Sequence, residues 1–327
     1  MHILIIGAAG MMGKKLIQRL MEDGGLKGSP ITEFTLVDVI QPEVPAGFAG
    51  KTTCLAADMS IGDTAAQLVE GRPDIIFHFA AIVSGEAEAD FDKGYRINLD
   101  GTRMLFDAIR MAHAADGYFP RMVFASSIAV VGAPLPFPIP DDFHSTPLTS
   151  YGTQKAICEL LLSDYTRRGF MDGIGIRLPT ICIRPGKPNK AASGFFSNIL
   201  REPLIGQTAV LPVPDDIRHW HTSPRSGVGF MIHAATMDLD QVGPRRNLSM
   251  PGLSATVGEQ IEALRRVAGD KAVALIRREP DPAITLMCEG WAPGFEATRA
   301  RALGFVAEDS FDAIIQAHIE DELGGSL

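Results

Sequence analysis

Tyr151 and Lys155 are the residues whose types and spacing point most directly to chemistry. They stand four positions apart in a segment with helical periodicity, so a helix places both side chains on one face. A neighbouring ammonium lowers the pKa of a phenol, which is about 10 in water. A phenolate produced in this way can remove a proton from a substrate hydroxyl. A surface lysine beside a half-buried tyrosine is the alternative, so the interpretation depends on the sequence upstream.

Three glycines, Gly7, Gly10 and Gly13, follow the first apolar run and open the first predicted helix. Their spacing suits a turn without Cβ clashes, close approach of the backbone to a pyrophosphate, and tight packing of helix on strand. The helix N-terminus, with Met11 and Met12, then presents N–H groups and a positive dipole to the anion. An ordinary strand-to-helix turn is the alternative, and the position after the first strand favours a dinucleotide.

Residues suited to the rest of a dinucleotide follow the next three strands in order. Asp38 ends the second strand, where a carboxylate can bind the adenosine ribose hydroxyls and repel a 2′-phosphate, which favours NAD over NADP. Asp58, with Met59 beside it, closes the third strand and can meet the adenine amino group. Ala80 and Ala81 after the fourth strand are small enough for the cofactor to lie against the backbone. A simple surface-turn aspartate is the alternative for Asp38.

Short apolar runs alternate with helical patterns through the first half of the chain. This alternation predicts an α/β fold, a Rossmann-type doubly wound parallel sheet with helices on both faces. We predict strands at Ile3-Ile6, Phe34-Val37, Thr53-Ala56, Ile75-Phe79, Met122-Ala125 and Gly175-Leu178. We predict helices at Met12-Glu22, Thr64-Val69, Asp92-Ala114, Tyr151-Arg168, Ser226-Met237, Val257-Val267 and Phe311-Glu322.

The pattern loosens after residue 180, which predicts two regions of different role. Residues 1–180 are expected to form the NAD-binding domain, with a returning segment near 225–250. Residues 181–327 are expected to form a smaller, discontinuous region that mainly binds substrate and closes over the strand ends.

Composition excludes several classes of function. The chain has 327 residues, 46% of them hydrophobic, and a net charge of −9, which argues against nucleic acid as a partner. Four widely spaced cysteines predict reduced thiols in a cytoplasm and no zinc site. No apolar stretch is long enough for a membrane span, and the N-terminus lacks the basic start of a signal peptide. We expect a cytoplasmic protein without metal.

Taken together, these motifs resemble the extended short-chain dehydrogenase/reductase family over roughly the first 190 residues. The motifs are Gly7-x-x-Gly10-x-x-Gly13, Asp38, Asp58, His78-Phe-Ala80-Ala81, Asn98-Leu-Asp-Gly-Thr102, Ser126-Ser127-Ile-Ala-Val-Val-Gly132, Tyr151-x-x-x-Lys155 and Arg177-Leu-Pro179-Thr180. Within that family, loop segments resemble the NAD-dependent D-erythronate dehydrogenases; they are residues 81–90, 184–189 and 218–225. Many extended members carry Val-Tyr-Gly where this chain has Val130-Val131-Gly132, and that departure questions sugar-nucleotide binding more than hydride transfer.

The resemblance implies a role for each residue of the reaction. Ser127 would hydrogen-bond the substrate oxygen, Tyr151 would act as acid and base, and Lys155 would hold the nicotinamide ribose and favour the phenolate. Tyr151 would take the C2 hydroxyl proton of D-erythronate while hydride leaves C2 for NAD, giving 2-oxo-tetronate. Asn98 and Pro179 would lie beside the cofactor. Asn98 would fix a water in a proton relay, or else be a structural asparagine that bends its helix.

Ser126 is the rival of Ser127 for the serine role, and the position directly before Ile-Ala-Val-Val-Gly favours Ser127. A sugar acid also needs a cation for its carboxylate and partners for its hydroxyls. Residues 177–225 hold seven Lys or Arg, at 177, 184, 187, 190, 201, 218 and 225, against three acidic residues, at 202, 215 and 216. The candidate substrate ligands are Arg184, Arg218, Arg225, Ser84 and Thr180.

For each of those arginines a surface ion pair is the alternative to a carboxylate clamp. His219 and His221 are expected to pack or hydrogen-bond rather than catalyse, because Tyr151 already supplies the base. Two other functions stay open: a nucleotide-sugar epimerase on the same fold, and a protein that senses NAD without turnover. In related folds the helices corresponding to 92–114 and 151–168 pair between subunits, so we expect a homodimer.

Overall fold

The computed structural model describes residues 1–186 and 193–326. Its strands are β1 (His2–Ile6), β2 (Gly25–Leu26), β3 (Ser29–Pro30), β4 (Glu33–Asp38), β5 (Lys51–Ala56), β6 (Ile75–His78), β7 (Arg121–Ser127), β8 (Asp172–Leu178), β9 (Thr180–Ile181), β10 (Ala209–Leu211), β11 (Arg218–Thr222), β12 (Asn247–Ser249), β13 (Leu253–Thr256) and β14 (Ile276–Arg278). All six predicted strands are among them, with ends that differ by a few residues.

The α-helices are α1 (Met11–Asp23), α2 (Thr64–Glu70), α3 (Ser84–Ala89), α4 (Phe91–Gly94), α5 (Gly101–Asp116), α6 (Ser150–Arg167), α7 (Gly194–Leu204), α8 (Pro224–Thr236), α9 (Val257–Val273), α10 (Pro282–Glu289), α11 (Thr298–Ala302) and α12 (Phe311–Glu322). A π-helical turn, Tyr95–Asp100, joins α4 to α5, and short 3₁₀ turns occupy Ile128–Val130 and Leu239–Val242. Gly269, inside α9, has a φ of 79°, so that helix is broken there.

A seven-stranded sheet in the order β12-β8-β7-β6-β1-β4-β5 is the centre of the first compact unit. This unit comprises Met1–Ser127, Thr149–Arg177 and Val228–Leu248. Strand β1 pairs in parallel with β4 and β6, which pair in parallel with β5 and β7. Strands β1 and β6 are apolar on consecutive positions because helices cover both faces of the sheet. The predicted Rossmann-type fold is confirmed.

The predicted helix Asp92-Ala114 is correct in extent but is not one regular helix. It begins as α4, widens into the π-helical turn, and continues as α5. Asn98, in the wide turn, is buried, and its carbonyl oxygen accepts hydrogen bonds from Thr102 Oγ1 at 2.7 Å and Cys158 Sγ at 3.3 Å. Side chains thus satisfy a carbonyl in the part of the helix where the regular bonding changes.

The second compact unit comprises Ile128–Leu148, Leu178–Gly227 and Ser249–Leu327. In it β11 pairs antiparallel with β13 and in parallel with β9, and β10 pairs in parallel with β14. Helices α7, α9 and α12 contribute buried residues to its core, among them Phe196, Leu264 and Ile315. Across 1–186 and 193–326, no helix is both long and apolar enough to cross a membrane.

Candidate functional site

The glycine turn of the first unit has the shape that the sequence predicts. Gly7 has a φ of +94°, which L side chains rarely adopt, and a Cβ there would lie 2.8 Å from the backbone nitrogen of Ala80. A Cβ at Gly13 would overlap the carbonyl oxygen of Gly7. Gly10 stands directly before α1 and provides no side-chain cap, which leaves the first N–H groups of the helix for an anion. The turn therefore fits a dinucleotide pyrophosphate.

Asp38 is tied to that turn by hydrogen bonds. Its Oδ2 accepts from the backbone N–H of Ala9 at 3.0 Å, and its Oδ1 accepts from that of Ile40 at 3.4 Å. The N–H groups of Gly7 and Ala8 both donate to the carbonyl oxygen of Val37, at 2.8 and 3.0 Å. The carboxylate is half-buried at the end of β4. One local network of hydrogen bonds thus connects the glycine turn to Asp38.

Asp58 is surrounded by donors, one of which the sequence did not reveal. Its Oδ1 accepts from the backbone N–H and hydroxyl of Ser60, at 2.9 and 2.5 Å, and its Oδ2 accepts from Arg96 Nη1 at 2.8 Å. Burial raises the pKa of Asp58, but the bonds from Arg96 and Ser60 outweigh it and hold that pKa below its ordinary value. Arg96 lies 38 residues away, and no motif connects the two positions.

The proposed catalytic pair lies on α6, which begins where the sequence offers a cap. The Oγ1 of Thr149 accepts from the N–H of Gly152 at 3.1 Å, and the helix starts at Ser150. The structure brings Tyr151 and Lys155 onto one face: Lys155 Nζ lies 5.8 Å from the centre of the Tyr151 ring. Tyr151 is half-buried and Lys155 is buried.

Lys155 is held by the neighbouring strand β7. Its Nζ donates to the carbonyl oxygen of Ala125 at 2.7 Å and lies 4.6 Å from the centre of the Phe124 ring. Burial lowers the pKa of Lys155 to about 8, against the opposing effect of the nearby Cys158 and Glu159. The ammonium is therefore desolvated but still largely protonated at neutral pH.

The two candidate serines at the end of β7 differ in their surroundings. Ser126 is buried, and its hydroxyl donates to Glu159 Oε1 at 2.6 Å. Glu159, itself buried, forms a two-pronged ion pair with Arg177, whose Nη2 lies 2.7 Å from Oε2. Ser127, the last residue of the strand, is half-buried. Glu159 could not be recognised from the sequence, because acidic residues one turn after a lysine are common on helices.

Both the amide oxygen and the amide nitrogen of Asn98 have hydrogen-bond partners within the protein. Its Oδ1 accepts from the N–H of Ile82 at 2.9 Å, and its Nδ2 donates to the carbonyl of Ile82 and to Gln154 Oε1, at 3.2 and 2.8 Å. Gln154 is fully buried and was not recognised from the sequence. Ser84, one of the candidate substrate ligands, is half-buried at the start of α3, two residues after Ile82.

In the second unit, Thr180 and His219 are in contact. Thr180 Oγ1 and His219 Nε2 are 2.7 Å apart, and the His219 ring stacks on Phe196 with centroids 5.2 Å apart. Burial, opposed by a hydrogen bond with the backbone of Ala292 and aided by the charge of Arg184, lowers the pKa of His219 to about 3, so this histidine is neutral. His221 is also buried and pairs with Gln260 at 3.0 Å. Pro179 is buried between β8 and β9.

The three candidate arginines of the second unit have different partners. Arg225 is exposed and pairs with Glu320 and Asp321 of α12, at 2.8 and 2.6 Å. Arg218 pairs with Glu259 at 3.3 Å. Arg184 donates to the carbonyl of Ile181 and to Ser193 Oγ, both at 3.1 Å.

The excess of basic residues counted over 177–225 is therefore smaller in the folded chain. Arg177 pairs with Glu159, Arg201 with Glu202, and Arg218 and Arg225 with carboxylates of α9 and α12. Lys187 and Lys190, which contributed to the count, lie outside the described residues. Within 1–186 and 193–326, no group of three His, Cys, Asp or Glu is arranged to hold a metal ion.

Comparison with known proteins agrees with this geometry. Residues 3–221 match the sequence profile of the NAD dependent epimerase/dehydratase family. The chain belongs to this family. It is thus an NAD-dependent enzyme, and the predicted cofactor, NAD, and the predicted resemblance are confirmed.

Two curated relatives are named D-erythronate dehydrogenase. The relative from Cupriavidus necator is 43% identical over 98% of this chain and 98% of its own length. The relative from Haemophilus influenzae is 39% identical over 99% of this chain and 100% of its own. A crystal structure from Agrobacterium tumefaciens, described as a nucleoside-diphosphate-sugar epimerase, is 77% identical with a TM-score of 0.98, covering 100% of this chain and 95% of that one. The names of these relatives thus point to two different reactions.

Proposed function

We propose that this enzyme oxidises the C2 hydroxyl of a four-carbon sugar acid, D-erythronate, to give 2-oxo-tetronate. The observation that carries the proposal is the placement of Lys155 Nζ, 5.8 Å from the Tyr151 ring and anchored on the carbonyl of Ala125. This arrangement suits proton removal from an alcohol. Two full-length relatives named D-erythronate dehydrogenase support the choice of substrate.

In this proposal each residue of the first unit has one task. Tyr151 removes the proton of the C2 hydroxyl, a contribution of typically 10²–10⁴-fold. Lys155 holds the nicotinamide ribose and stabilises the phenolate by its charge. Ser127 binds the reacting oxygen, and its half-buried position, next to a buried Ser126, supports this choice. Bound NAD⁺ supplies the hydride acceptor.

The cofactor-binding residues are proposed to act in the order of the strands that carry them. Gly7, Gly10 and Gly13, with Met11 and Met12, surround the pyrophosphate. Asp38 binds the adenosine ribose, and the carboxylate of Asp58 with Met59 lies at the adenine. The other proposed cofactor-binding residues line the nicotinamide half of NAD; they are Ala80, Ala81, Asn98, Tyr151, Lys155 and Pro179.

For the substrate carboxylate we favour Arg184 among the three arginines. The charge of Arg184 lies close enough to His219 to lower its pKa, and His219 contacts Thr180, the proposed hydroxyl partner. Ser84 is the second proposed hydroxyl partner.

Incubation with NAD⁺ and a panel of four- and five-carbon sugar acids, followed by NADH absorbance, tests the proposal. We expect D-erythronate to give the highest kcat/KM of the panel. An enzyme that reduces no NAD⁺ with any sugar acid would contradict it.

A nucleotide-sugar epimerase is the second candidate, because the 77% identical structure is described by that name. Epimerisation returns the hydride to the substrate, so it gives a changed sugar without net NADH. The same enzyme preparation should therefore be incubated with UDP-sugars and analysed by chromatography. Interconversion of UDP-sugars without sugar-acid oxidation would favour the epimerase.

The assembly, the domain roles and the location are also proposals. We propose residues 1–180 with 225–250 as the NAD-binding domain and 181–327 as mainly substrate-binding. Leu160 on α6 and Met111 on α5 are exposed by 72% and 64%, which supports a homodimer formed by these helices. The free thiols Cys54, Cys158, Cys182 and Cys288 support the cytoplasm.

A further inference from the structure

Gln154 lies on α6 between the proposed base and the proposed lysine, with a fully buried side chain. Its Oε1 accepts a hydrogen bond of 2.8 Å from Nδ2 of Asn98, which is 2% exposed. Asn98 belongs to the π-helical turn Tyr95–Asp100, and such turns are frequent at functional sites. A buried amide pair therefore connects the helix of Tyr151 and Lys155 to the irregular turn.

The orientation of this amide pair is fixed by the backbone of Ile82. The N–H of Ile82 donates to Asn98 Oδ1 at 2.9 Å, and its carbonyl accepts from Asn98 Nδ2 at 3.2 Å. If the Asn98 amide were reversed, Nδ2 would face the N–H of Ile82, donor against donor, and Oδ1 would face the carbonyl of Ile82, acceptor against acceptor. Since Asn98 must present Nδ2, the atom of Gln154 that faces it must be the oxygen.

The series of hydrogen bonds from Gln154 through Asn98 ends at Ile82, next to the proposed cofactor site. Ile82 directly follows Ala80 and Ala81, the turn after β6 that is proposed to lie against the nicotinamide half. The N–H of Ala80 donates to the carbonyl of Ile6 at 3.0 Å, so the sheet holds one side of this turn. Gln154 and Asn98 hold the other side from α6.

The amide nitrogen of Gln154 differs from its amide oxygen in its surroundings. Among the described residues, Gln154 Nε2 has no hydrogen-bond partner, and it faces Gly94, where a Cβ would lie 2.7 Å from it. An unpaired buried donor opposes stability. The hydrogen bond of the Gln154 side chain to Asn98 thus uses its amide oxygen, and within residues 1–186 and 193–326 its amide nitrogen adds none, so the chemistry of this amide points to the Asn98–Ile82 link rather than to packing.

We propose that Gln154 is a positioning residue. Through Asn98 it fixes the distance between the helix that carries Tyr151 and Lys155 and the cofactor-facing turn that ends at Ile82. The catalytic consequence rests on the proposed function, because it concerns the geometry of hydride and proton transfer, whereas the link itself does not.

The link is tested first without substrate, by amide hydrogen exchange followed by mass spectrometry on the intact enzyme. Gln154→Met removes the acceptor and keeps the length of the side chain. We expect faster exchange in peptides that contain Ile82, whose N–H donates to Asn98. The control, Gln18→Met, changes an exposed glutamine of α1 and should leave these peptides unchanged. Unchanged exchange in Gln154→Met would overturn the proposal.

The catalytic consequence is tested by separating kcat from cofactor binding. In Gln154→Met we expect kcat for the best sugar acid to fall roughly tenfold to a hundredfold, because small misplacements of reacting groups are costly. The NADH dissociation constant, from fluorescence titration, should change by less than about threefold. A larger primary isotope effect with substrate deuterated at C2 should accompany the loss. Wild-type kcat in a variant with faster exchange would refute the catalytic role.

Gly94→Ala is an independent perturbation of the same side chain. Its methyl group would come within 2.7 Å of Gln154 Nε2 and displace the amide without changing it. We expect the same change in exchange at Ile82 and the same loss of kcat, and no further loss when it is combined with Gln154→Met. Additive losses would contradict the proposal. If wild-type enzyme oxidises no sugar acid, the proposed function fails, while the exchange data still decide whether the link exists.

Discussion

Lys155 Nζ donates a hydrogen bond of 2.7 Å to the carbonyl oxygen of Ala125, two residues before Ser127 on the same strand. The helix that carries Tyr151 is thus tied directly to the strand that ends in Ser127. Because this carbonyl is part of a sheet flanked by buried residues, the ammonium has little freedom to move. The proposed lysine is therefore held by the backbone of the strand that carries the proposed serine.

Tyr151→Phe should abolish turnover and leave cofactor binding nearly intact. The phenol is the only base in the proposed mechanism, and general acid–base catalysis typically contributes 10²–10⁴-fold. We expect kcat to fall by at least about 100-fold. Fluorescence titration should give an NADH dissociation constant within about threefold of wild type, or about 0.7 kcal/mol. Substantial residual activity would remove Tyr151 from the role of base.

Asp38→Asn should weaken the preference for NAD over NADP. The amide oxygen can still accept from Ala9, which donates to Oδ2 at 3.0 Å, so the turn should keep its shape. The charge that repels a 2′-phosphate is lost, and we expect the ratio of kcat/KM values to fall roughly tenfold, or about 1.4 kcal/mol. Asp38→Ala should weaken binding of both cofactors in addition. A selectivity equal to that of wild type in both variants would refute the ribose-reading role.

The sheet could be predicted from the sequence because its central strands are buried on both faces. Residues Ile3 to Ile6 and Ile75 to His78 are continuously buried, and no half-exposed strand gives such a run. The glycine turn could also be predicted from the sequence, since the positive φ of Gly7 and the close packing at Gly13 each require the absence of a Cβ. Local constraints of this kind appear directly in the residue types.

Contacts between distant residues could not be predicted in the same way. The sequence window 177–225 shows a basic excess, but the carboxylates that meet Arg218 and Arg225 come from residues 259, 320 and 321. The irregular turn around Asn98 depends on Cys158 and Ile82, which lie 60 and 16 residues from Asn98 in the sequence. Such partners have no fixed spacing, because the fold alone brings them together.

Glu159→Ala should destabilise the protein strongly. The carboxylate is 2% exposed and accepts hydrogen bonds from Ser126 and Arg177, so its removal leaves a guanidinium without its buried partner. We expect the free energy of unfolding to fall by about 3–5 kcal/mol. Glu262→Ala, at a pair with Arg265 that is exposed on both sides, is the control and should change it by less than about 0.5 kcal/mol. Equal losses in urea titrations would contradict the importance of burial.

His78→Gln should reduce the loss of stability on acidification. His78 is 1% exposed, and burial, aided by the charge of Lys155, lowers its pKa from 6.5 to about 3. Between these values the unfolded chain binds a proton that the folded chain does not, so stability rises with pH and is lost as pH falls below about 6.5. Glutamine can keep a hydrogen bond to Thr102, which lies 2.9 Å from His78 Nε2.

The difference between wild type and His78→Gln isolates this single group, because His219 and His221 are the same in both proteins. As the pH falls from 6 to 4, the free energy of unfolding should decrease less steeply in the variant than in wild type. The two slopes should differ by about 1.4 kcal/mol per pH unit. Urea titrations at several pH values in this range measure both slopes. Parallel slopes would mean that His78 is protonated in the folded enzyme, which would contradict the effect of burial on its pKa.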